Sequence, residues 1–404
     1  MSHHSPPRFL KRTSPPHIFT LIFLTGLSAL TMNIFLPSLP AMADYFDADY
    51  RIIQLAVAVY LLVMAGLQIL IGPISDNIGR RPVLLWGICL FALATLGCIM
   101  ARSVEAFLFF RMSQAVVAVA LVLSRASVRD IFPADKAASM IGYVTAGMAV
   151  VPMISPAIGG VLGEAFGWQS TFWLMFALAL VAFALTWLDF GETAVASGLT
   201  LAQQFRQYGE LLKSPRFWGY SLASATTSGT FFAYLGGAPF VGSHVFGLDS
   251  ATLGFYFGVP AIGYFIGNVV SGRFATHFGI NKMVFWGCTL NTLGAGLSLL
   301  LFIVGIGGVN SFFGLMALVG IGNGMALPSA TSGSMSVRPH LAGSASGLAG
   351  SIMLGGGAAL SAIAGMMLTI ETGPNPLLWI MFLTAAASVV FIALVVLRER
   401  RLTM

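Results

Sequence analysis

Charge is what this chain has least of. Asp, Glu, Lys and Arg make up only 8% of its 404 residues, against 57% hydrophobic residues and a mean hydropathy of +0.89. A soluble domain carries about 25% charged residues, so a water-facing globule of this length is excluded and the apolar surface must meet lipid. Cysteine is scarce as well. Cys89, Cys98 and Cys288 each fall inside apolar runs and form no CxxC pair, so they read as small buried hydrophobes, not as a disulfide frame or metal site. The six histidines show no metal-ligand spacing beyond His3 and His4, which read as a solvated tail. No glycine precedes any of the four lysines, so the lysine of a nucleotide phosphate loop is missing and ATP-driven work by this chain alone is excluded. Neither metal nor cofactor is expected. The net charge of +6 and pI near 9.4 would point to nucleic acid in a soluble protein; here the basic residues carry an orientation signal, and no nucleic-acid partner is expected.

What is present is a succession of apolar runs, each long enough (roughly 20 residues) to cross the hydrocarbon of a bilayer as a helix. They fall at 18–39, 52–72, 82–101, 104–126, 137–163, 168–189, 217–241, 250–272, 282–304, 310–333, 341–369 and 376–397. The first follows Arg8, Lys11 and Arg12 and exceeds the 7–15 residues of a signal-peptide core, so it reads as a membrane helix that stays. The expected fold is an all-α membrane protein of twelve transmembrane helices in two six-helix pseudo-symmetric halves, 1–189 and 217–404. Residues 190–216 form the linker between them. Leu201, Phe205, Tyr208 and Leu212 stand at helical spacing in it, which fits an amphipathic interfacial helix, with a plain solvated linker as the alternative.

The halves repeat. Shifted by 200 residues, Gly72, Gly79, Trp86, Gly87 and Leu90 meet Gly272, Gly279, Trp286, Gly287 and Leu290. Parallel repeats of six helices belong to transporters whose site lies between two rocking halves. All but three of the 20 Lys and Arg residues lie on one side of these spans; Arg51 and Arg102 lie on the other, and Arg111 lies within a span. The positive-inside rule then places both termini in the cytoplasm. An embedded enzyme would need a nucleophile–base set or metal ligands at depth, and a channel would show filter-like or charged-ring pore segments. Neither is evident. The expected partners are a small-molecule substrate and the lipid bilayer, and the chain is expected to act as a monomer.

Five segments carry a family resemblance. Gly72-Pro73-Ile74-Ser75-Asp76-Asn77-Ile78-Gly79-Arg80-Arg81-Pro82 resembles the signature loop of the major facilitator superfamily. Its small residues are expected to let helices approach, and Asp76 to sit where it can cap a helix N-terminus. Phe110-Arg111-Met112-Ser113-Gln114 resembles the RxxQ pattern of the same superfamily. The stretch from Gly147 through Met148, Pro152, Pro156 and Gly159 to Gly160 resembles the motif of its drug–proton antiporter branch, with Ser155-Pro156 where that branch has Gly-Pro. Asn33-Ile34-Phe35-Leu36-Pro37-Ser38-Leu39-Pro40 and the run from Ser124 to Phe132 look like the Bcr/CflA group of drug-resistance transporters, to which chloramphenicol and florfenicol exporters are similar. The resemblance implies a major facilitator fold in the bacterial inner membrane. It also implies efflux of amphipathic drugs or small metabolites in exchange for protons, and a gating role for Gly72, Asp76, Gly79, Arg80 and Arg81. The second copy of the loop carries Thr276 where the acid would stand.

At 1.5 Å per residue, Asn33, Tyr60 and Arg111 lie at one level, roughly 9–12 Å below the outer boundary, and Gln114 shares a helix face with Arg111. An arginine at this depth costs about 2.5–3.5 kcal/mol on insertion scales, so Arg111 is expected to face a polar cavity and to have a partner. Met148 and Pro152, with Phe231 and Tyr234 of the seventh span, complete the expected cavity set. One departure stands out: the family usually has Asp at the position of Asn33, and asparagine does not titrate. Three functions stay open, namely a proton-coupled exporter, an uncoupled facilitator or metabolite exporter, and a non-transporting membrane sensor.

Overall fold

Lipid offers no hydrogen bonds, so a chain this apolar must satisfy its own backbone, and helices do so within one segment. The computed structural model describes residues 9–131, 134–194, 208–338 and 341–403, and among them no strand occurs. The first half contains α1 (Ile18–Asn33), α2 (Leu55–Ile78), α3 (Arg80–Met100), α4 (Val104–Ser113), α5 (Ala118–Ile131), α6 (Ala134–Phe166) and α7 (Gln169–Asp189). The second contains α8 (Pro215–Phe240), α9 (Ser250–Phe278), α10 (Ile280–Ile303), α11 (Met316–Ser336), α12 (Ala342–Met367) and α13 (Asn375–Thr403). Residues 195–207, where most of the expected amphipathic linker helix falls, lie outside the described residues.

Ten helical segments among the described residues are long and apolar enough to cross a membrane. The sequence spans at 137–163 and 217–241 are not among them. The first falls in α6, of which Ile154–Phe166 is described as a shorter apolar helix. The second is α8, whose Ser221, Ser224, Thr227, Ser228 and Thr230 are buried. This helix is walled by protein on nearly every side, so its composition owes little to lipid.

Two expected spans are interrupted. The run 18–39 is helical only to Asn33; a 3-10 turn at Leu36–Ser38 and a short helix at Leu39–Tyr45 follow, each with proline at its start. Proline lacks the N–H that would continue the ladder. The run 104–126 is broken between α4 and α5 by a 3-10 turn at Gln114–Val117, beside Arg111.

The repeated glycines do equivalent jobs in the two halves. Gly79 and Gly279 close α2 and α9 with φ of 108° and 83°, a region that favours glycine. A Cβ on Gly87 would run into Val119 of α5, and one on Gly287 would meet the Gly322 carbonyl of α11 at 2.6 Å. The paired tryptophans point outward, Trp86 70% and Trp286 41% exposed, as lipid-facing side chains do.

The halves meet along α6 with α9 and along α2 with α12. These two pairs exchange under the repeat, since α9 corresponds to α2 and α12 to α6. Call the end carrying both termini the terminal face. At the opposite face the α6–α9 contact is backbone on backbone. A Cβ on Gly160 would strike the Ser250 carbonyl and lie 3.1 Å from Ala251 Cα; one on Gly254 would strike the Pro156 carbonyl. Gly159 is pressed in the same way on the Ile34 carbonyl of its own half. At the terminal face, by contrast, a Cβ on Gly72, Gly272 or Gly347 would meet nothing within 4 Å among the described residues. Among these residues the close approach expected at Gly72 is not made; between the halves it is made at Gly160 and Gly254, at the opposite face.

Gly254→Val should force α6 and α9 apart, costing about 1–3 kcal/mol as an overpacked contact. The expected readout is a lowered melting temperature of the purified protein together with loss of transport, with Gly72→Val showing a smaller thermal effect.

Candidate functional site

Arg111 is the largest fully buried side chain, at 0% exposure. The break in α1 creates its environment. Helix termination at Asn33 leaves carbonyls in the last turn without intrahelical donors, and Arg111 Nη2 donates to one of them, Thr31 O, at 3.0 Å. Nε donates to Ala56 O in the first turn of α2 at 3.2 Å, and Nη1 to Gln114 Oε1 at 2.7 Å. Gln114 in turn donates to Thr95 Oγ1 of α3 at 2.8 Å. The guanidinium lies between two rings, 4.2 Å from the Phe35 centroid and 4.1 Å from that of Tyr60. Carbonyl dipoles, a side-chain amide and two π faces thus balance the charge, and through Gln114 the cluster ties α1, α2, α3 and α4 together.

Of the sequence-predicted set, Tyr60, Arg111 and Gln114 are brought together. Asn33 is buried close by in the chain, but its Nδ2 folds back to donate to Ala29 O of its own helix at 2.7 Å. Arg111 has the expected partner, yet it is sealed within the first half and does not face an open cavity in this arrangement. Sequence reasoning missed Thr31, Ala56 and Thr95 as its neighbours. Phe35 belongs to the Asn33–Pro40 motif, and an aromatic two residues beyond the helix break was the signal available for it.

The second half packs a cluster of rings in the corresponding region. Tyr234 is fully buried, with its ring centroid 6.3 Å from Phe231, 5.2 Å from Phe257 and 6.2 Å from Phe312. Phe231 and Tyr234 therefore adjoin each other, in a different half from Arg111. Pro152 is half-buried and Pro156 buried within α6; the surroundings of Gly147 and the side chain of Met148 lie outside the described residues.

At the terminal face the signature loop is a charge network. Asp76 pairs with Arg80, and Arg80 Nε also reaches Asp130 Oδ2 at 3.1 Å. Asp76 was expected to be able to cap a helix; the carboxylate that caps α3 is Glu192. It accepts from Arg80 N at 2.8 Å and from Arg81 N at 3.2 Å, where the helix dipole favours negative charge. A Cβ on Gly79 would lie 2.6 Å from Glu192 Oε2, so glycine is needed there for space as well as for its φ. Arg81 Nη2 donates to Trp187 O at 3.0 Å and lies over the Trp187 ring, which Arg12 also approaches. Asp189, the one acid among the described buried polar residues, accepts from Leu10 N at 2.6 Å, His17 N at 2.9 Å and Thr20 Oγ1 at 2.6 Å, anchoring the N-terminal segment to α7. Both acids stand at the edge of an apolar run, which was the signal available for them.

These features define an all-helical membrane transporter. The profile of the Major Facilitator Superfamily matches residues 21–362, and the chain belongs to that superfamily. It is 31% identical to an uncharacterised MFS-type transporter, YdgK, of Bacillus subtilis over 91% of this chain and 92% of the relative. It is also 31% identical to a chloramphenicol resistance protein of Pseudomonas aeruginosa, over 81% of this chain and 79% of the relative. A solved D-xylose–proton symporter shares the fold with a TM-score of 0.73 at 13% identity, covering 93% of this chain and 96% of its own. The protein is accordingly a multi-pass inner-membrane transporter.

Arg111→Lys keeps the charge but cannot serve three acceptors from one planar fork. Transport is expected to fall at least about tenfold, equivalent to about 1.4 kcal/mol, with Arg111→Ala more severe and less thermostable. Asp189→Ala should raise amide hydrogen exchange over residues 10–20, read by mass spectrometry, while exchange in α10 is unchanged.

Proposed function

We propose that this chain exports amphipathic drugs or small metabolites from the bacterial cytoplasm in exchange for protons, acting as a monomer. In this reading α6 and α8 also cross the membrane, giving twelve spans, and the basic terminal face is cytoplasmic. Residues 1–189 and 217–404 are the rocking halves, joined by the linker 190–216. The observation that carries it is the asymmetry of the interface between the halves: glycine-on-backbone contact at Gly160 and Gly254, open space at Gly72 and Gly347. A carrier with one gate shut and the other open has this arrangement. The substrate class rests on the relatives, among them the chloramphenicol resistance protein and multidrug resistance protein D of Escherichia coli, 28% identical over 87% of this chain. Arg111 serves in this scheme as the tie that makes α1, α2, α3 and α4 move as one body. Asp76, Arg80 and Arg81 time the opening of the terminal face.

A second reading, export down the substrate gradient without protons, is favoured by Asn33, which does not titrate at a position where the family resemblance implies an aspartate. Asp189, the buried acid, is held at the terminal end of α7 by three donors. Overexpression in an efflux-deficient host should raise the inhibitory concentration of amphenicols several-fold; a panel of amphipathic drugs without any shift would sink the export reading. Drug added to purified protein in weakly buffered detergent should release protons. Drug binding without that signal selects the uncoupled reading.

A further inference from the structure

A side chain of the first half is seated inside the second at the opposite face. Gln54, which precedes α2, is 1% exposed. Its Nε2 donates to Ser361 O at 2.6 Å and approaches Ser361 Oγ at 3.0 Å, both on α12. The preceding turn supports it: Tyr50 donates from its hydroxyl to Gly236 O of α8 at 3.2 Å, with its ring 5.2 Å from Phe240. Two glycines make room for the amide. A Cβ on Gly236 would lie 2.7 Å from Gln54 Nε2. The three atoms nearest a Cβ on Gly365 would all belong to Gln54: Oε1, then Cδ at 2.6 Å and Cγ at 2.9 Å. Gly365 lies within helical α12 without a left-handed φ, so its backbone conformation does not call for glycine.

Helices in lipid gain little from burying apolar surface against one another, so close packing and interhelical hydrogen bonds carry their association. A primary amide offers two donors in a fixed plane, and losing its seat leaves both Ser361 and the amide to be hydrated or unpaired. We propose that Gln54 is the residue that latches the opposite-face gate, its amide held in a notch that Gly236 and Gly365 leave between α8 and α12. For that face to open, Gln54 must withdraw as α2 parts from α12. The latch rests on the two-gate reading above but on neither the substrate nor the proton. Distances recorded without drug therefore test it even where drug export fails.

The test uses the full chain with its three native cysteines replaced by alanine, carrying spin labels at Asp44→Cys and Glu371→Cys. Both positions are exposed at the opposite face, one in each half. Gln54→Ala should raise the long-distance, open population by about fivefold for each hydrogen bond lost. Gly365→Ala should do the same by ejecting Gln54, although alanine is the better helix residue. The double variant Gln54→Ala/Gly365→Ala should be no more open than Gln54→Ala alone, because the added methyl then has nothing to displace. A native distance distribution in Gln54→Ala, with only a lowered melting temperature, overturns the latch. Additive opening in the double variant overturns the notch.

Discussion

A permanent positive charge with no acid to meet it sets the architecture of the first half. Arg111 stays protonated at any accessible pH, and at zero exposure it must be satisfied by dipoles. One of those dipoles is available because α1 stops at Asn33, ahead of Pro37 and Pro40, leaving the Thr31 carbonyl for the guanidinium; the others are the Ala56 carbonyl and the Gln114 amide. The same interruption brings Phe35 over one face of the arginine, while Tyr60 of α2 covers the other. Four helices are therefore held by one side chain and its amide neighbour. Among the described residues the second half buries no such charge, and Tyr234, Phe257 and Phe312 pack there as rings.

Between the halves the constraint is different. At Gly160 and Gly254 the contact is made of backbone against backbone. Gln54 adds directional bonds that can be released to water. At the terminal face the ion pairs of the signature loop lie within the first half and the adjoining linker, with Arg80 between Asp76 and Asp130 and Glu192 on the α3 N-terminus, where water and salt can exchange with each partner.

Much of this was legible in residues 72–90 and their copy 200 positions on. The spacing of Gly79, Trp86 and Gly87 encodes a left-handed turn, a lipid-facing ring and a helix crossing, and each recurs in the second half. The membership of Tyr60, Arg111 and Gln114 in one cluster was legible from depth and helical phase. The role of Glu192 was not: an exposed acid after an apolar run looks like solvated linker until the fold brings α7 beside the start of α3. Nor was the direction of the Asn33 side chain, since an amide can bond its own helix or a neighbour with equal chemistry.

By itself the sequence determined the solvent, the positions of the apolar runs, the repeat and the basic face, because each is a sum over composition or spacing. Only the tertiary structure decided which carbonyls hold Arg111, which acid caps α3, and that Gln54 sits across the interface. Every residue carries a carbonyl, and nothing in its side chain reports whether a helix break or a distant glycine has left that carbonyl available.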